Sequence, residues 1–214
     1  MDMLRYEKEA WQSGLFFIAG IDEAGRGPLA GPVVAAAVAF DREPLETSGA
    51  EIFAGLTDSK ALTGKQREHF FEQLQGCRFA RIGCAVIGPD IIDEINILQA
   101  TWKAMAEAVA QISPAPDLAL VDGRPVRGLC CKSKSIVKGD TQSLSIAAAS
   151  VIAKVTRDRM MVEIDAQFPQ YGFAQHKGYG TQAHLAAIHR HGPCLHHRKT
   201  FRPVSELNQG ELNL

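Results

Sequence analysis

The chain has 214 residues, of which 46% are hydrophobic and 22% charged, a balance typical of one globular domain with an apolar core. No apolar run approaches the roughly 20 residues that cross a bilayer, and residues 1–14 lack the apolar stretch of a signal peptide. The five cysteines form no CxxC pair, which argues against a disulfide framework and a zinc knuckle. These features exclude a membrane protein and predict a cytoplasmic protein with no membrane partner.

The net charge of −1 is distributed unevenly along the chain. Residues 124–203 contain 13 Lys and Arg but only 4 Asp and Glu, which leaves this part at +9 and the remainder at −10. A strongly basic part suits contact with a phosphate backbone, although such an imbalance also arises by chance on a solvated surface.

Two apolar runs near the N-terminus predict the first strands of a sheet. Residues 16–21 form the first run, which ends at Asp22, and residues 33–40, rich in Val and Ala, form the second. Between them, residues 25–32 are dense in glycine and proline, which predicts a wide hairpin turn.

A helix and a third strand are predicted next. Thr63 and Gln66 have the spacing of a capping box, which predicts a helix over residues 65–75 that stops at Gly76. Residues 79–87 are predicted to form the third strand.

The clearest helical pattern is a stripe of apolar residues at alternating steps of four and three, which ends before Pro114. Its members are Ile91, Ile95, Leu98, Trp102, Met105, Val109 and Ile112. The elements predicted after it are strands over residues 118–121 and 129–137 and helices over residues 142–166 and 181–192. Strands that come first and then alternate with helices predict an α/β fold, with a mixed sheet flanked by helices.

Carboxylates directly follow two of the predicted strands. Asp22 and Glu23 come after the first strand, and Asp122 comes after the strand over residues 118–121. In α/β sheets, ligand sites gather at the carboxyl ends of strands, so we expect these three side chains to meet. Their repulsion is costly unless a cation lies between them, and hard cations such as Mg²⁺ and Mn²⁺ take oxygen ligands. Solvated charges at strand ends are the alternative explanation.

Asp140 is a fourth candidate, because it stands just before the predicted helix over residues 142–166. Helix capping alone is the simpler explanation of its N-cap-like position. Together with Asp22, Glu23 and Asp122 it completes a set of four carboxylates. Such a set is enough to hold two cations about 3.5–4 Å apart that clamp a phosphodiester.

The turn after the first strand contains a glycine-rich loop, Gly25-Arg26-Gly27. It superficially resembles a phosphate loop but lacks the Gly-Lys-[Ser/Thr] ending, so we reject that interpretation. Glycines on both sides of Arg26 still allow close backbone approach to a ligand, and Arg26 can contact a phosphate. A tight turn with a surface arginine is the alternative.

A long signature and four shorter segments resemble the type 2 ribonuclease H family, whose bacterial members are called ribonuclease HII. The signature is GIDEAGRGPLAGPVV at residues 20–34, and the match spans about residues 20–203. The four segments follow in order: TDSK at 57–60, VDG at 121–123, KGD followed by SIAAASVIAKVTRD at 138–158, and YGFAQHKGYGT at 171–181. Only 19 residues precede Gly20, which favours type 2 over type 3 relatives with an additional N-terminal domain.

The resemblance implies a ribonuclease H-like mixed sheet with flanking helices and a small C-terminal helical portion. Residues 1–203 are expected to form this domain, and residues 204–214 a flexible tail. The implied activity is endonucleolytic hydrolysis of the RNA strand of RNA–DNA hybrids and nicking 5′ of ribonucleotides embedded in duplex DNA. The implied cofactor is Mg²⁺ or Mn²⁺, two ions per site with substrate bound, and the products carry 3′-hydroxyl and 5′-phosphate ends.

The resemblance also assigns site residues by their positions in these segments. The family's four catalytic and metal-binding acids fall on Asp22, Glu23, Asp122 and Asp140. Its substrate-binding residues fall on Gly25, Arg26 and Gly27, which sense the ribose 2′-hydroxyl, on the junction-sensing Tyr179, and on Lys60, for which we expect a phosphate contact.

Two other functions remain open. The chain could be a nucleic-acid-binding module whose carboxylates only hold a structural cation, or a nuclease of another ribonuclease H-like family, exonucleases included. The complete set of four acids argues against the first, and the Gly-Arg-Gly loop with the HKGYGT segment argues against the second. A divalent-dependent cleavage assay separates a binding module from an enzyme.

The seven histidines do not predict a zinc site. His184 and His189 are five residues apart and do not share a helix face. Segment 196–199, His-His-Arg-Lys, suits contact with a nucleic-acid backbone better than metal binding. Trp11 and Trp102 are interpreted as packing residues.

The predicted tail contains a short motif. Residues 209–214, Gln-Gly-Glu-Leu-Asn-Leu, resemble peptides that dock into bacterial replication sliding clamps through two apolar anchors and a polar residue. A sliding clamp is therefore a predicted partner, and incidental leucines in a frayed terminus are the alternative.

Overall fold

A computed structural model describes residues 2–206 of the chain. In chain order its principal elements are α1 (Arg5–Gln12), β1 (Ile18–Ala24), β2 (Val33–Phe40), α2 (Gly64–Gly76), β3 (Ala80–Ile87), α3 (Pro89–Ala110), β4 (Leu118–Asp122), β5 (Lys132–Ile136), α4 (Leu144–Gln167) and α5 (Gln182–His191). Short helical turns lie at Arg42–Pro44, Leu45–Gly49, Ala50–Ile52, Gly139–Thr141, Pro169–Tyr171 and Phe173–His176. None of the helices among these residues is both long and apolar enough to cross a membrane.

The strands form one mixed sheet in the order β3-β2-β1-β4-β5. The β1–β2 and β2–β3 pairs are antiparallel, whereas β4 runs parallel to β1 and β5 runs parallel to β4. In the parallel register Ile21 pairs with Val121, so the next residues, Asp22 and Asp122, lie side by side at the same edge. The mixed sheet with flanking helices confirms the predicted fold class.

Helices cover both faces of the sheet because its central strands are apolar on both sides. Every residue of β2 is buried, as expected for a run of Val and Ala. Helix α4 packs on one face and α3 on the other. Gly20 lets α4 approach β1 closely, because a Cβ there would lie 2.1 Å from the backbone of Ser145. The first turn of α4 is thereby held against the strand that carries Asp22.

Helix α3 follows the predicted stripe with one exception in its middle, because Ile91 and Ile95 pack against the same cluster as Met105 and Val109. Met105 and Val109 are buried, but Leu98 is 43% exposed. Asn96 has a positive φ of 66°, and its side-chain Oδ1 accepts the N–H groups of Leu98 and Gln99. The helix is therefore interrupted at Asn96 and restarts there with a capped turn. The prediction of one uninterrupted helix is wrong at this kink, and the predicted stripe is wrong at Leu98.

Some predicted boundaries are confirmed and others are corrected. Strand β2 has its predicted bounds, and the capping box of Thr63 and Gln66 is present at the start of α2. Strand β1 continues to Ala24, so Asp22 and Glu23 lie within the strand rather than after it.

Asp140 is not the N-cap of the long helix α4. It lies in the helical turn Gly139–Thr141, and the hydroxyl of Ser143 accepts the N–H of Ile146 as the cap. Helix α1, which the sequence did not predict, packs at the same point, because the buried carboxylate of Glu7 accepts the Ser143 hydroxyl at 2.6 Å. The Asp140 side chain is therefore not needed for capping.

The C-terminal portion is small and helical, as predicted. Helix α5 begins after Thr181, whose side chain accepts the N–H of His184. Val204 is buried against Leu29, so the packed part of the chain extends at least to that residue. The predicted clamp motif at residues 209–214 lies outside the described residues.

Candidate active site

Three of the four predicted carboxylates meet at one edge of the sheet. Asp22 and Asp122 lie on the parallel strands β1 and β4, and Asp140 reaches them from the turn before α4. One oxygen atom from each lies within 4.8 Å of the other two. Asp22 and Asp140 are each only 7% exposed, so two of these neighbouring carboxylates are largely shielded from water.

Burial and mutual repulsion disfavour the charged forms of this cluster. Burial, and then the charges of Glu23 and Asp122, raise the pKa of Asp22 well above its ordinary value. Burial, followed by the charge of Asp122, raises the pKa of Asp140 to about 6. Partial burial opposes a rise at Lys60, but the nearby acids, Asp22 foremost, raise its pKa. A divalent cation fits this set of hard oxygen atoms, because it would remove their repulsion.

Glu23 lies beside the cluster rather than in it. Its Oε1 atom accepts from Nη1 of Arg26 at 3.3 Å, and its side chain is 16% exposed. Burial raises the pKa of Glu23, whereas the charge of Arg26 opposes the rise. Among the described residues, the grouped acids are therefore Asp22, Asp122 and Asp140, and the fourth predicted acid forms an adjoining wall.

Backbone groups fix the two strand aspartates. Oδ1 of Asp122 accepts the N–H of Gly139 at 2.7 Å, and Oδ1 of Asp22 accepts the N–H of Glu23 at 2.7 Å. Because each bond uses one carboxylate oxygen, the second oxygen of each aspartate stays available to a ligand.

The cluster opens into a cleft of about 230 Å³. All five predicted substrate-binding residues line this cleft together with two of the acids; they are Gly25, Arg26, Gly27, Lys60 and Tyr179, with Asp22 and Glu23. The Tyr179 ring lies beside Gly27, where an added Cβ would be 3.7 Å from it, and Tyr179 is 46% exposed. The structure therefore places the glycine loop and the tyrosine next to the acidic cluster.

Five further residues of the cleft were not predicted from the sequence. They are Ala24, Ser59, Ser150, Lys154 and Arg157. The last three are spaced by four and then three residues on α4, so they share one helix face, and this spacing is a signal that could have found them. The Ser150 hydroxyl donates to that of Ser59 at 2.8 Å, which fastens the loop that carries Lys60 to α4.

The predicted nucleic-acid contact of segment 196–199 is wrong for its two central residues. His197 is 1% exposed and Arg198 is 0% exposed, so neither reaches the surface. The guanidinium of Arg198 donates instead to backbone carbonyls of the 25–31 loop. His197 hydrogen-bonds His184 at 3.1 Å inside the C-terminal portion. Two basic residues in sequence do not reveal that their donors are satisfied by backbone acceptors far along the chain.

The sheet brings three acids to one edge, and solved structures share its fold. Parallel strands β1 and β4 bring two aspartates together there, and the turn before α4 brings a third. Ribonuclease H2 of Pyrococcus horikoshii OT3 has the same fold, with a TM-score of 0.75 and 24% identity over 92% of this chain and 100% of that one. Ribonuclease HII of Archaeoglobus fulgidus, solved in complex with PCNA, has a TM-score of 0.69 and 26% identity over 87% of this chain and 95% of that one.

Sequence comparison identifies the family. The ribonuclease HII family model matches residues 19–204. Ribonuclease HII of Geobacter metallireducens is 55% identical over 201 residues, which cover 94% of this chain and 91% of that protein. The chain therefore belongs to the ribonuclease HII family. It is an endoribonuclease of the ribonuclease H type, which acts on RNA–DNA hybrids and leaves 5′-phosphate ends.

Proposed function

We propose that the enzyme also nicks duplex DNA on the 5′ side of single embedded ribonucleotides, leaving 3′-hydroxyl and 5′-phosphate ends, and so serves ribonucleotide excision repair. The observation that carries this proposal is that Gly25, Arg26, Gly27 and Tyr179 line the same cleft as the acids. Glycine backbone can approach a sugar closely, because no side chain stands between them. A cleft of this kind can distinguish ribose from deoxyribose next to the scissile phosphate.

We infer that Asp22, Asp122 and Asp140, with Glu23 beside them, hold two divalent cations, Mg²⁺ or Mn²⁺, when substrate is bound. Such ions supply an activated water and neutralise negative charge on the phosphate oxygens. The chain supports this with hard oxygen ligands whose pKa values are raised by burial and then by mutual repulsion, and a cation relieves the repulsion. The N–H of Gly139 holds Asp122 in place for this role.

Five other residues of the cleft are proposed to bind the substrate. The backbone of Gly25, Arg26 and Gly27 recognises the ribose 2′-hydroxyl at the cut. The half-exposed ring of Tyr179, beside Gly27, stacks on the sugar beyond the junction between RNA and DNA. Lys60 contacts a phosphate, since it lines the cleft and its charge lies near those of the acids.

The decisive experiment uses a DNA duplex with one embedded ribonucleotide, incubated with Mg²⁺, with Mn²⁺ or with EDTA. We expect a single nick 5′ of the ribonucleotide in either metal and no product in EDTA. An all-DNA duplex and an RNA–RNA duplex of the same sequence are the controls, and neither should be cut. Equal cutting of the RNA–RNA duplex would contradict the proposed specificity.

Tyr179 offers a sharper test of recognition at the junction. Tyr179→Ala should reduce nicking of the embedded-ribonucleotide duplex by about 10–100-fold, because base or sugar stacking on an aromatic ring contributes about 1–3 kcal/mol. Tyr179→Phe keeps the ring and is the matched control, with nicking close to that of the wild type. Unchanged nicking by Tyr179→Ala would contradict the role of the tyrosine.

A second proposal concerns a protein partner. The Archaeoglobus fulgidus relative was solved in complex with PCNA, and Gln209, Leu212 and Leu214 have the spacing of a clamp-docking peptide. We therefore propose that this segment binds a replication sliding clamp. The test measures binding of the full chain to a purified clamp, beside a variant with Leu212→Ala and Leu214→Ala. Equal binding by the two proteins, or none by either at high micromolar concentration, would remove the proposal.

Two broader proposals accompany these. Residues 1–203 form the catalytic domain, and a tail follows it. The sequence predicts that this tail begins at residue 204, but Val204 is buried, so the tail begins after it. A cytoplasmic location stays a prediction from the cysteine pattern, and expression with a fluorescent tag would test it.

A further inference from the structure

Two arginines lie buried behind the Gly25–Gly27 loop, and the roles proposed above do not use them. Arg157, on α4, is 1% exposed, and Arg198, on the segment after α5, is 0% exposed. A buried guanidinium is costly unless all its donors are satisfied, and burial lowers the pKa of Arg198 to about 9. Both side chains donate to backbone carbonyls, so two buried cations hold the backbone of one loop in place.

Arg198 holds the carbonyls of the glycine loop itself. Its Nη2 atom donates to the carbonyl of Gly25, and its Nη1 atom donates to that of Arg26 at 2.9 Å. Its Nε atom donates to the carbonyl of Gly31 at 3.0 Å, at the other end of the turn. Three donors of one rigid planar group therefore fix three peptide groups of the loop.

These bonds determine where the neighbouring N–H groups point. The peptides from Gly25 to Arg26 and from Arg26 to Gly27 are trans, so each carbonyl is opposed by the N–H of the next residue. With the carbonyls of Gly25 and Arg26 turned inward to Arg198, the N–H groups of Arg26 and Gly27 turn outward. Within residues 2–206, neither N–H donates to a protein acceptor, and both residues line the cleft.

We propose that Arg198 is a positioning residue for sugar recognition: it orients the two outward N–H groups of the glycine loop toward the ribose 2′-hydroxyl. The inference rests on the proposed role of this loop and adds the group that sets its geometry. The side-chain donors of Arg198 go to loop carbonyls and not to the acids, so its effect belongs to selectivity rather than to hydrolysis.

The segment that carries Arg198 is itself fastened on both sides. The N–H of Arg198 donates to the carbonyl of Leu29 at 2.8 Å, so the backbone of the segment pairs with the turn. On the other side, the carboxylate of Asp93 on α3 accepts the N–H groups of Lys199 at 2.8 Å and of Thr200 at 2.9 Å. The guanidinium is thereby preorganised before substrate binds.

Arg157 provides an internal comparison, because it supports the same turn at different peptides. It donates to the carbonyls of Ala30, Pro32 and Lys177, and its side chain fills the space where a Cβ of Gly25 would lie. It therefore fixes the far end of the turn and the approach to Tyr179, but it does not hold the carbonyl groups that direct the two outward N–H groups.

The test compares two duplexes that are identical except at the cut position, where one carries a ribonucleotide and the other its 2′-fluoro analogue. Fluorine accepts hydrogen bonds only weakly. The kcat/KM for the ribonucleotide duplex divided by that for the 2′-fluoro duplex therefore measures the contribution of the loop N–H groups. Arg198→Lys keeps the charge but lacks the planar fork, and we expect it to lower this ratio by about 10–100-fold. Arg202→Lys, on an exposed residue of the same segment, should leave the ratio unchanged.

Two further measurements separate positioning from a general loss of structure. The rise in melting temperature on adding Mn²⁺ should be the same in Arg198→Lys as in the wild type, because the acids are untouched. Asp93→Ala keeps Arg198 and loosens its anchor, and it should lower the ratio in the same direction by a smaller factor. This variant keeps the inference testable if Arg198→Lys does not fold.

The possible outcomes are distinct. A lower ratio with an unchanged Mn²⁺ response supports the role of Arg198. An equal loss of kcat/KM on both duplexes, or an unchanged ratio in both Arg198→Lys and Asp93→Ala, would overturn it. If the wild type itself does not distinguish the two duplexes, the proposed role of the loop in sugar recognition fails, and the inference fails with it.

Discussion

Replacing Asp122 by asparagine tests the acidic cluster most directly. Oδ1 of Asp122 accepts the N–H of Gly139 at 2.7 Å, and the amide oxygen of an asparagine can accept the same bond. The substitution keeps the shape of the site and removes one negative charge from a group in which Asp22 and Asp140 lie within 4.8 Å. The fold should therefore survive while the affinity for cations is lost.

The lost charge should affect stability and activity in opposite directions. Two full charges 4.8 Å apart repel each other by about 3.5 kcal/mol at an effective dielectric constant of about 20. Protonation relieves part of this repulsion, so we expect Asp122→Asn to raise the free energy of unfolding by about 1–3 kcal/mol in EDTA at pH 8. Cleavage should fall at least about 1000-fold, because a bound cation contributes several kcal/mol and each 1.36 kcal/mol is tenfold in rate.

The assay combines unfolding with cleavage. Denaturant unfolding in EDTA and in Mn²⁺ is measured for the wild type, for Asp122→Asn and for Asp90→Asn, an exposed aspartate on the first turn of α3 that serves as the control. Nicking of the embedded-ribonucleotide duplex is measured on the same preparations. Near wild-type turnover by Asp122→Asn, or a loss of more than about 1 kcal/mol of stability in EDTA, would refute the reasoning.

Three further predictions concern stability. Burial lowers the pKa of His184 and of His197 from 6.5 to about 4. Their contribution to the free energy of unfolding is therefore fully present above pH 6.5 and is lost as the pH falls toward 4, by up to about 1.4 kcal/mol per pH unit for each histidine. The melting temperatures of the wild type and of His197→Gln should depend differently on pH in this window, and parallel curves would contradict the prediction. Glu7→Ala should lower the free energy of unfolding by about 2 kcal/mol, because buried hydroxyl donors lose their acceptor, whereas Glu9→Ala, on an exposed residue of the same helix, should change it little. Thr63→Ala should cost about 1 kcal/mol by removing the cap of α2, and Thr63→Ser should restore it.

The parts of the fold that were predicted correctly are those whose pattern is local. Strand β2 is an uninterrupted run of Val and Ala, which is typical of a strand covered on both faces, and its bounds were predicted correctly. The capping box of α2 needs only Thr63 and Gln66, three residues apart. Asp22 and Asp122 were predicted to meet because both follow apolar runs, and a parallel pair of strands brings such residues to one edge.

The parts that were not predicted depend on contacts between distant residues or on one unusual backbone conformation. Leu98 fits an apolar stripe, but the positive φ of Asn96 interrupts the helix two residues earlier, and Leu98 is exposed. Arg198 has the composition of a surface cation, and only the carbonyls of a turn far along the chain make its burial possible. No local pattern in the sequence specifies either of these features.

This difference between local and distant determinants has a consequence for how the enzyme can be altered. Asp22 and Asp122 are fixed by the register of β1 and β4, which any substitution that preserves the sheet also preserves. The backbone proposed to read the sugar is fixed by Arg198, which lies 173 residues from Gly25 and contacts none of the acids. Hydrolysis and sugar selectivity should therefore be separable, with Asp122→Asn removing the first and Arg198→Lys relaxing the second. If Arg198→Lys instead lost hydrolysis on both duplexes, the loop and the acids would have to respond together, through the contact between Arg26 and Glu23.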